Sequence, residues 1–282
     1  MGYKRMVPIT LILLACILLS PISILAQEEP VEVPIIMYHS LNKKRCDPWT
    51  LHPDAFEKDL QYLQENGYGA VLLIDLVEYV EHGVPLPEKP IVLSFDDCYY
   101  NNLVYALPML EQYQMKMVLA IIGNSSEQFS RQKDLNVNYA HLSWEQLCQM
   151  QDSGLVELAN HTWNMHSNTK GGRYGCCPMR GEDLESYRSI FYNDVRKLQD
   201  TILQQCGREP IAFVYPFGNR CPEALAILKE MGFKVTLSCY EGMNYVTPSN
   251  PDCLFDMHRV NRTPGKSVES ILKNLNKKDK KK

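Results

Sequence analysis

The chain of 282 residues carries a formal net charge of −4, and its longest basic run lies at the C-terminus. Nucleic-acid-binding proteins concentrate positive charge on one face, so we expect no nucleic-acid partner. A hydrophobic content of 45% is ordinary for a globular protein with a core, and the length fits one large α/β domain or two small ones.

The N-terminal segment has the layout of a secretory signal. Lys4 and Arg5 precede an apolar stretch over residues 6–26, which gives way to the polar sequence QEEP. We therefore predict that residues 1–26 are a signal peptide or an uncleaved membrane anchor, with any anchoring through residues 6–26. The protein is then exported to an extracellular, cell-wall or membrane-associated location.

Short apolar runs in the rest of the chain predict seven strands. Most of the runs are continuously apolar, as expected when both faces of a sheet are covered by other layers. They lie at residues 33–40, 70–74, 91–96, 115–122, 155–161, 211–217 and 234–239.

Helical patterns separate these runs. They lie at residues 54–66, 143–154, 182–206 and 222–231. The first pattern places Phe56, Leu60 and Leu63 on one stripe, and Ser143 with Gln146 forms a capping box at the start of the second. Alternating strands and helices predict an α/β fold, a distorted (β/α) barrel of about seven parallel strands. We assign residues 30–275 to this single domain and residues 276–282 to a basic tail.

Nine cysteines follow the N-terminal segment, and disulfides persist outside the cytoplasm. They are Cys46, Cys98, Cys148, Cys176, Cys177, Cys206, Cys221, Cys239 and Cys253. Because nine is odd, at least one is unpaired in a monomer, the state that we expect. Their scatter lacks the paired spacing of a zinc ribbon, and the sequence does not fix their connectivity.

Polar side chains cluster at the carboxyl ends of several predicted strands, where functional groups gather in such folds. These are His39, Asp96, Asp97, Asn160, His161 and the segment 215–220. His39 could line a site or be a core histidine bonded to the backbone. The loop 167–182 could cover a ligand or be a solvated insertion clipped by Cys176 or Cys177.

The adjacent carboxylates of Asp96 and Asp97 require compensation, because an unpaired buried charge is costly. The candidates are solvent, a cation, or a division of labour in catalysis. His161 and His166 would point apart on a helix, which turns through about 500° over five residues, so they converge only in a loop. Two imidazoles and an aspartate would form an open metal site typical of catalytic zinc. The alternative is that both histidines make structural hydrogen bonds.

The stretches SFDDCYYNN and HTWNMH resemble the two metal motifs of the polysaccharide deacetylases, the NodB-homology superfamily that includes carbohydrate esterase family 4. The stretches VPIIMYHS, DPWTLHPDAFEKDLQYLQENGY and VYPFGNR extend the resemblance over nearly the whole mature chain. It implies a distorted (β/α) barrel that holds a divalent metal, usually zinc, and removes acetyl groups from acetylated sugars. The opening stretch and the histidine spacing are most similar to deacetylases of poly-β-1,6-N-acetylglucosamine.

The resemblance implies roles for individual residues. Asp97, His161 and His166 match the metal ligands, and Asp96 matches a general base that takes a proton from water. The metal would acidify the water and polarise the acetyl carbonyl. In the PFG turn, the backbone N–H of Phe217 would stabilise the oxyanion, and Tyr215 is a further oxyanion or substrate candidate. His258 is either the general acid or a surface residue.

Two residues depart from the family pattern. Cys98 replaces a glycine, and it could have a structural role, bind the metal, oxidise, or attack as a nucleophile. Val214 stands where many relatives have an arginine that steadies the base, and Arg220 or Arg259 could substitute. The expected function is an exported, metal-dependent N-deacetylase of N-acetylglucosamine glycans.

The rival substrates are peptidoglycan, chitin-type oligomers and O-acetylated polysaccharides. A rival of another class is a glycan-binding module that has lost catalysis, and the retained base Asp96 argues against it.

Overall fold

The computed structural model describes residues 2, 29–45, 47–170 and 172–279. Apart from Gly2, the predicted signal segment lies outside the described residues. Cys46 lies outside them as well. The strands are β1 (Val31–Val33), β2 (Ile35–Tyr38), β3 (Ser40–Leu41), β4 (Thr50–Leu51), β5 (Gly69–Ala70), β6 (Pro90–Phe95), β7 (Met117–Ile121), β8 (Val156–Asn160), β9 (Ala212–Val214), β10 (Val235–Leu237), β11 (Asn244–Val246) and β12 (Val260–Asn261). The helices are α1 (Pro53–Glu65), α2 (Leu73–His82), α3 (Leu107–Tyr113), α4 (Gly123–Gln132), α5 (Trp144–Asp152), α6 (Leu184–Cys206), α7 (Pro222–Glu230) and α8 (Val268–Asp279).

The main sheet confirms the predicted distorted (β/α) barrel. Its strands follow the order β10-β9-β8-β7-β6-β2-β12, all neighbours are parallel, and β5 adds to the side of β6. The seven strands of the main path curl into a partial barrel. Because all of them are parallel, their carboxyl ends open at one mouth of the barrel.

The two faces of the sheet carry alternate side chains. Ile36 and Leu93 pack in one cluster with Phe56 of α1. Val92, which lies next to Leu93 on β6, packs in a second cluster with Leu76 of α2. Both clusters are buried, which explains why the strands read as continuous apolar runs.

The segment before β12 joins the two edges of the sheet. Met257 donates a backbone hydrogen bond of 2.9 Å to Thr236 of β10, and its carbonyl accepts one of 2.9 Å from Ser238. β12 itself pairs with β2 at the other edge. This closure carries Arg259 to the mouth of the barrel.

The sequence predictions differ from the structure at several elements. The predicted strand 70–74 is wrong after residue 70, because α2 begins at Leu73. The carboxylates of Asp75 and Glu157 accept the backbone N–H groups of Leu72 and Ile74 and so stabilise the helix start. The sequence patterns did not indicate α2, α3, α4 and α8. The last of these extends to Asp279 and so into the segment predicted as a tail.

A disulfide joins Cys148 of α5 to Cys206 at the end of α6. The other cysteines within the described residues carry free thiols: Cys98, Cys176, Cys177, Cys221, Cys239 and Cys253. Within the described part of the chain, every helix is too short or too polar to cross a membrane.

Candidate metal and catalytic site

Three side chains meet at the mouth of the barrel. Asp97 follows β6, and its Oδ1 lies 3.8 Å from Nε2 of His161 and 3.6 Å from Nε2 of His166. One donor atom from each residue fits within 4.8 Å of the others, as a shared metal ion requires. The structure thus brings together the three residues predicted as metal ligands.

The protonation of this group suits a metal ion. Nδ1 of His161 lies 2.7 Å from the carbonyl oxygen of Val214, so Nδ1 carries the hydrogen and Nε2 keeps its lone pair. Burial lowers the pKa of His161 to about 3 and also lowers the pKa of His166, so both rings are neutral at neutral pH. Metal ligation needs neutral imidazoles.

One oxygen of the Asp97 carboxylate lacks a hydrogen-bonding partner. Its Oδ1 is buried without a hydrogen bond, although it faces the two imidazoles. Burial, together with the negative charge of Asp96, raises the pKa of Asp97 to about 6. A cation at this position would stabilise the ionised form. One carboxylate and two neutral imidazoles therefore fit a divalent metal with an open coordination position.

Helix α6 fixes the loop between the two histidines. Asp194 of α6 accepts the backbone N–H groups of Trp163 at 2.7 Å and Asn164 at 2.9 Å. Asn160, the last residue of β8, accepts the N–H of Thr162 at 2.9 Å and donates to the carbonyl oxygen of Val195 at 3.0 Å. The loop geometry, with Thr162 at a positive φ of 71°, is held by these bonds.

Asp96 has a cationic partner inside the protein. The buried guanidinium of Arg259 binds it through two bonds, Nη1 to Oδ1 at 2.7 Å and Nη2 to Oδ2 at 2.9 Å. Arg259 also donates to Oγ of Ser94 at 2.8 Å and to the carbonyl oxygen of Ser238 at 2.7 Å. Burial alone would raise the pKa of Asp96, but Arg259 more than offsets this and holds the pKa well below its usual range.

This contact decides between the two arginines that could steady Asp96. Arg220 instead pairs with Asp256 near the surface, at 2.5 Å. Arg259 belongs to the loop before β12, which the barrel closure brings beside β6. The residue that orients Asp96 is therefore Arg259.

His39 lies on the other side of Asp96. Its Nε2 is 4.0 Å from Oδ2 of Asp96, and its ring centroid is 4.9 Å from that of Trp49. His39 therefore lines the site and is not a core histidine. Sequence patterns singled out His39 but gave no role to Trp49.

These groups line one open cleft with a volume of about 510 Å³. Its lining residues are His39, Ser40, Arg45, Asp47, Trp49, Thr50, Asp96, Asp97, Tyr99, His161, His166, Asn168, Tyr174, Phe217 and Cys239. The three clustered ligand candidates, the Asp96–Arg259 pair and the exposed aromatic rings thus share a single concave surface, as expected for a ligand-binding site.

A model of the family described as polysaccharide deacetylase matches residues 83–236, which is more than half of the chain. The chain belongs to the polysaccharide deacetylase family.

Curated relatives and solved structures agree with this family. The chain is 28% identical over 227 residues to the poly-beta-1,6-N-acetyl-D-glucosamine N-deacetylase of Escherichia coli K12. That match covers 74% of this chain but only 34% of the relative, so the chain spans about a third of that protein. A de-N-acetylase from Aggregatibacter actinomycetemcomitans has a TM-score of 0.74 at 24% identity, over 87% of this chain and 100% of that one. IcaB from Ammonifex degensii has a TM-score of 0.71 at 20% identity, over 87% and 97%. Both structures show the shared fold.

The fold places Phe217 in the cleft but Tyr215 outside it. Phe217 has a positive φ of 58°, and its ring lies 4.3 Å from that of His166. Tyr215 is fully buried against Phe213, in a cluster on the α6 and α7 side of the sheet. The alternation of side chains past β9 turns the Tyr215 side chain away from the cleft, so the structure does not bring this oxyanion or substrate candidate to the site.

His258 is also turned away from the cleft. Its Nδ1 lies 3.1 Å from the carbonyl oxygen of Tyr240, and the residue is not among those that line the cleft. Since Arg259 points inward, its neighbour His258 points outward. The structure does not bring this predicted general acid to the site.

Cys98 occupies a backbone position that explains the glycine of the family pattern. Its φ is 48°, in the left-handed region that glycine adopts without strain. The side chain is fully buried, 3.5 Å from Oγ of Ser126, and burial raises the pKa of its thiol to about 12. A protonated thiol outside the cleft is a poor nucleophile and a poor metal ligand. Cys98 therefore has a structural role.

Proposed function

We propose that this chain is an exported, metal-dependent N-deacetylase that hydrolyses acetyl groups of poly-β-1,6-N-acetylglucosamine. The observation that carries the metal dependence is the buried Asp97 oxygen, which faces two neutral imidazoles beside the Asp96–Arg259 pair. The similarity to the poly-beta-1,6-N-acetyl-D-glucosamine N-deacetylase of Escherichia coli supports the glycan and its linkage. The signal-like N-terminus and the Cys148–Cys206 disulfide support export.

The donor atoms of three residues support a divalent metal. Asp97, His161 and His166 would hold a divalent ion, and their chemistry is that of a catalytic zinc site with an open position. When bound, the ion would acidify a water molecule and polarise the acetyl carbonyl.

Asp96 would act as the general base. It is ionised at neutral pH because Arg259 stabilises its charge, and it lies beside the metal ligand Asp97. A carboxylate has more acceptor sites than the two that Arg259 occupies, so Asp96 can also accept the proton of the attacking water. Arg259 acts on Asp96 and is a positioning residue.

Two other groups would serve the acetyl carbonyl and the leaving amine. The backbone N–H of Phe217 would stabilise the negative charge that develops on the carbonyl oxygen when water attacks the carbonyl carbon. His39 would donate the proton that the amine needs as it leaves, since its Nε2 lies only 4.0 Å from Asp96 and it lines the cleft. A bridging water molecule would then pass the proton held by Asp96 to His39, because 4.0 Å is too long for a direct hydrogen bond.

The test is release of acetate by the purified protein from a panel of defined glycans, with and without a chelator. The panel contains poly-β-1,6-N-acetylglucosamine, peptidoglycan, chitin oligomers and acetylated xylan. We expect the highest kcat/KM on the β-1,6-linked polymer, loss of activity with chelator, and recovery on addition of zinc. Binding of a glycan without release of acetate from any of them would instead indicate a binding module.

A further inference from the structure

Two large aromatic rings lie exposed in the cleft. The side chains of Trp49 and Tyr174 are 54% and 53% accessible to solvent, although each touches a residue of the catalytic site. Exposed aromatic surface held beside a reaction centre is a common sign of a ligand contact.

Trp49 is held rigidly at its backbone. Its N–H donates to Oδ1 of Asp47 at 2.9 Å, and its carbonyl accepts the N–H of Ser40 at 3.1 Å. The preceding residue, Pro48, accepts a bond of 3.2 Å from the side chain of Asn261. The indole therefore projects from a fixed segment, next to His39.

Tyr174 is held in a similar way on the loop 167–182. Its ring stacks on Phe217 with centroids 5.0 Å apart and planes 19° apart. Its carbonyl accepts a bond of 2.8 Å from the side chain of Asn219, and the next residue, Gly175, donates to the carbonyl of Ser167 at 3.0 Å. Of the two sequence interpretations of this loop, the geometry favours the one in which it covers a glycan.

The strand order places the two rings on opposite flanks of the metal ligands. The loop that carries Asp97 follows β6, and the loop that carries His161 follows β8. His39, which contacts Trp49, follows β2, and β2 is the neighbour of β6 on one side. Phe217, which contacts Tyr174, follows β9, and β9 is the neighbour of β8 on the other side.

We infer that Trp49 and Tyr174 are stacking surfaces for the two sugar units that flank the reacting unit. The enzyme then deacetylates internal units of a chain of at least three N-acetylglucosamine residues. This inference rests on the proposed function and adds the length and position of the substrate.

The chemistry of the cleft fits such a chain. The faces of a pyranose ring present C–H groups, which lose unfavourable contact with water when they stack on an aromatic ring. The hydroxyl groups at the rim of the sugar need hydrogen-bonding partners, and Arg45, Asp47, Asn168 and Tyr99 line the cleft near the two rings.

The experiment measures kcat/KM of the zinc-loaded protein on β-1,6-linked N-acetylglucosamine oligomers from one to five units, with the deacetylated position found by mass spectrometry. We expect kcat/KM to rise steeply up to the trimer, whose central unit is deacetylated. In Trp49→Ala and Tyr174→Ala, the ratio of kcat/KM for the pentamer to that for the monomer should fall about tenfold, mainly through KM. Trp49→Phe and Tyr174→Phe should recover most of the ratio.

Tyr139→Ala is the matched control, since Tyr139 is 52% exposed but lies outside the cleft, bonded to Asp134. Its length ratio should equal that of the wild type. The inference is overturned if the wild type shows no dependence on length, if it deacetylates only the terminal unit, or if the alanine variants keep the wild-type ratio.

Binding of the pentamer to Asp96→Asn, measured by calorimetry, separates this inference from the proposed function. We expect Trp49→Ala and Tyr174→Ala, each in the Asp96→Asn background, to weaken this binding about tenfold. If the wild type releases no acetate while this loss of affinity is seen, the proposed function fails and the stacking surfaces stand. If acetate is released but both alanine changes leave affinity and length ratio unaltered, the stacking surfaces are wrong and the proposed function stands.

Discussion

Two consecutive carboxylates, Asp96 and Asp97, lie in opposite electrostatic surroundings. Asp96 is paired through two hydrogen bonds with the buried Arg259, and its pKa is held well below the usual range. Asp97 has a buried oxygen without a hydrogen bond, faces two neutral imidazoles, and has its pKa raised to about 6, chiefly by burial. The protein thus supplies a cationic partner to Asp96, whereas one oxygen of Asp97 has no hydrogen bond.

This difference explains how two adjacent acids can follow β6. A buried charge without a partner costs several kcal/mol, so both acids need a counter-charge. Because the counter-charge of Asp96 is permanent, this group stays ionised whether or not a metal is bound. Under the proposed function, the counter-charge of Asp97 would be a metal ion that can dissociate, so this position would serve as a ligand site.

The largest effect is expected when Asp96 loses its cationic partner, Arg259. Arg259→Met leaves Asp96 buried without a partner, and we expect the free energy of unfolding to fall by about 3–5 kcal/mol. The pKa of Asp96 should rise, and kcat should fall on the order of 10²-fold because the base loses both charge and orientation. Denaturant unfolding and the pH profile of kcat measure these effects.

Arg220→Met is the control for this change, because Arg220 pairs with Asp256 at a partly exposed site. Its cost should be within about 1 kcal/mol, with kcat within about twofold of the wild type. Equal losses in the two arginine variants would contradict the pairing of Arg259 with the base.

The next change affects the candidate metal site, through the loop that carries His161 and His166. Asp194→Asn removes one of two acceptors for the N–H groups of Trp163 and Asn164. We expect zinc affinity to fall about 10–100-fold, as for other residues that orient metal ligands. Activity should recover at saturating zinc, which a chelator-competition titration can establish.

Asp200→Asn on the same helix is the matched control, since Asp200 pairs with Arg196 on the exposed face. It should leave zinc affinity unchanged. Unchanged affinity in Asp194→Asn as well would show that the loop does not depend on α6.

Glu157 resembles Asp97, because each has a buried carboxylate oxygen without a hydrogen bond, and Glu157 lies toward the opposite end of β8. Its Oε1 is buried without a hydrogen bond, and burial raises its pKa to about 7 from 4.5. A carboxyl with a raised folded pKa stabilises the fold at low pH, and this contribution is lost as pH rises from about 4.5 through 7. Glu157→Gln removes the titration.

The variant should therefore gain about 1–3 kcal/mol relative to the wild type between pH 5 and pH 8. Denaturant unfolding at both values checks this, with the exposed Glu88→Gln as control. A constant difference between Glu157→Gln and the wild type across this range would show that Glu157 does not titrate in it.

The smallest effect on turnover is expected at the residue behind the two acids. Cys98→Ala removes a buried thiol that the mechanism does not use, so kcat and zinc content should stay within about twofold of the wild type. Unfolding should become easier by about 1 kcal/mol, because a small cavity is left. A large loss of kcat at full zinc content would restore the nucleophilic mechanism.

Much of the fold could be predicted from local sequence. The apolar runs located most strands of the barrel, and the two motifs at strand ends located Asp96, Asp97, His161 and His166. The run at residues 70–74 misled, because apolar residues at helical spacing in a short buried helix look like a strand until the capping contacts of Asp75 and Glu157 are known.

The contacts that cross the barrel could not be predicted in this way. Arg259 meets Asp96 across 163 residues of sequence, through a closure that depends on two short strands. Local patterns gave Arg220 and Arg259 equal standing, and only the barrel geometry separates them. Likewise, Tyr215 and His258 were placed by motif, whereas the alternation of side chains along the chain turns them away from the cleft.

The measurement that tests the central claim most directly compares Asp96→Asn with Asp97→Asn for both zinc content and acetate release. Zinc is measured on the purified proteins by mass spectrometry, and acetate on poly-β-1,6-N-acetylglucosamine. We expect Asp96→Asn to keep its zinc and to lose turnover by at least about 10²-fold. We expect Asp97→Asn to lose both zinc and turnover. If the two variants lose zinc equally, or if Asp97→Asn keeps full zinc, the two acids do not divide the work and the account is contradicted.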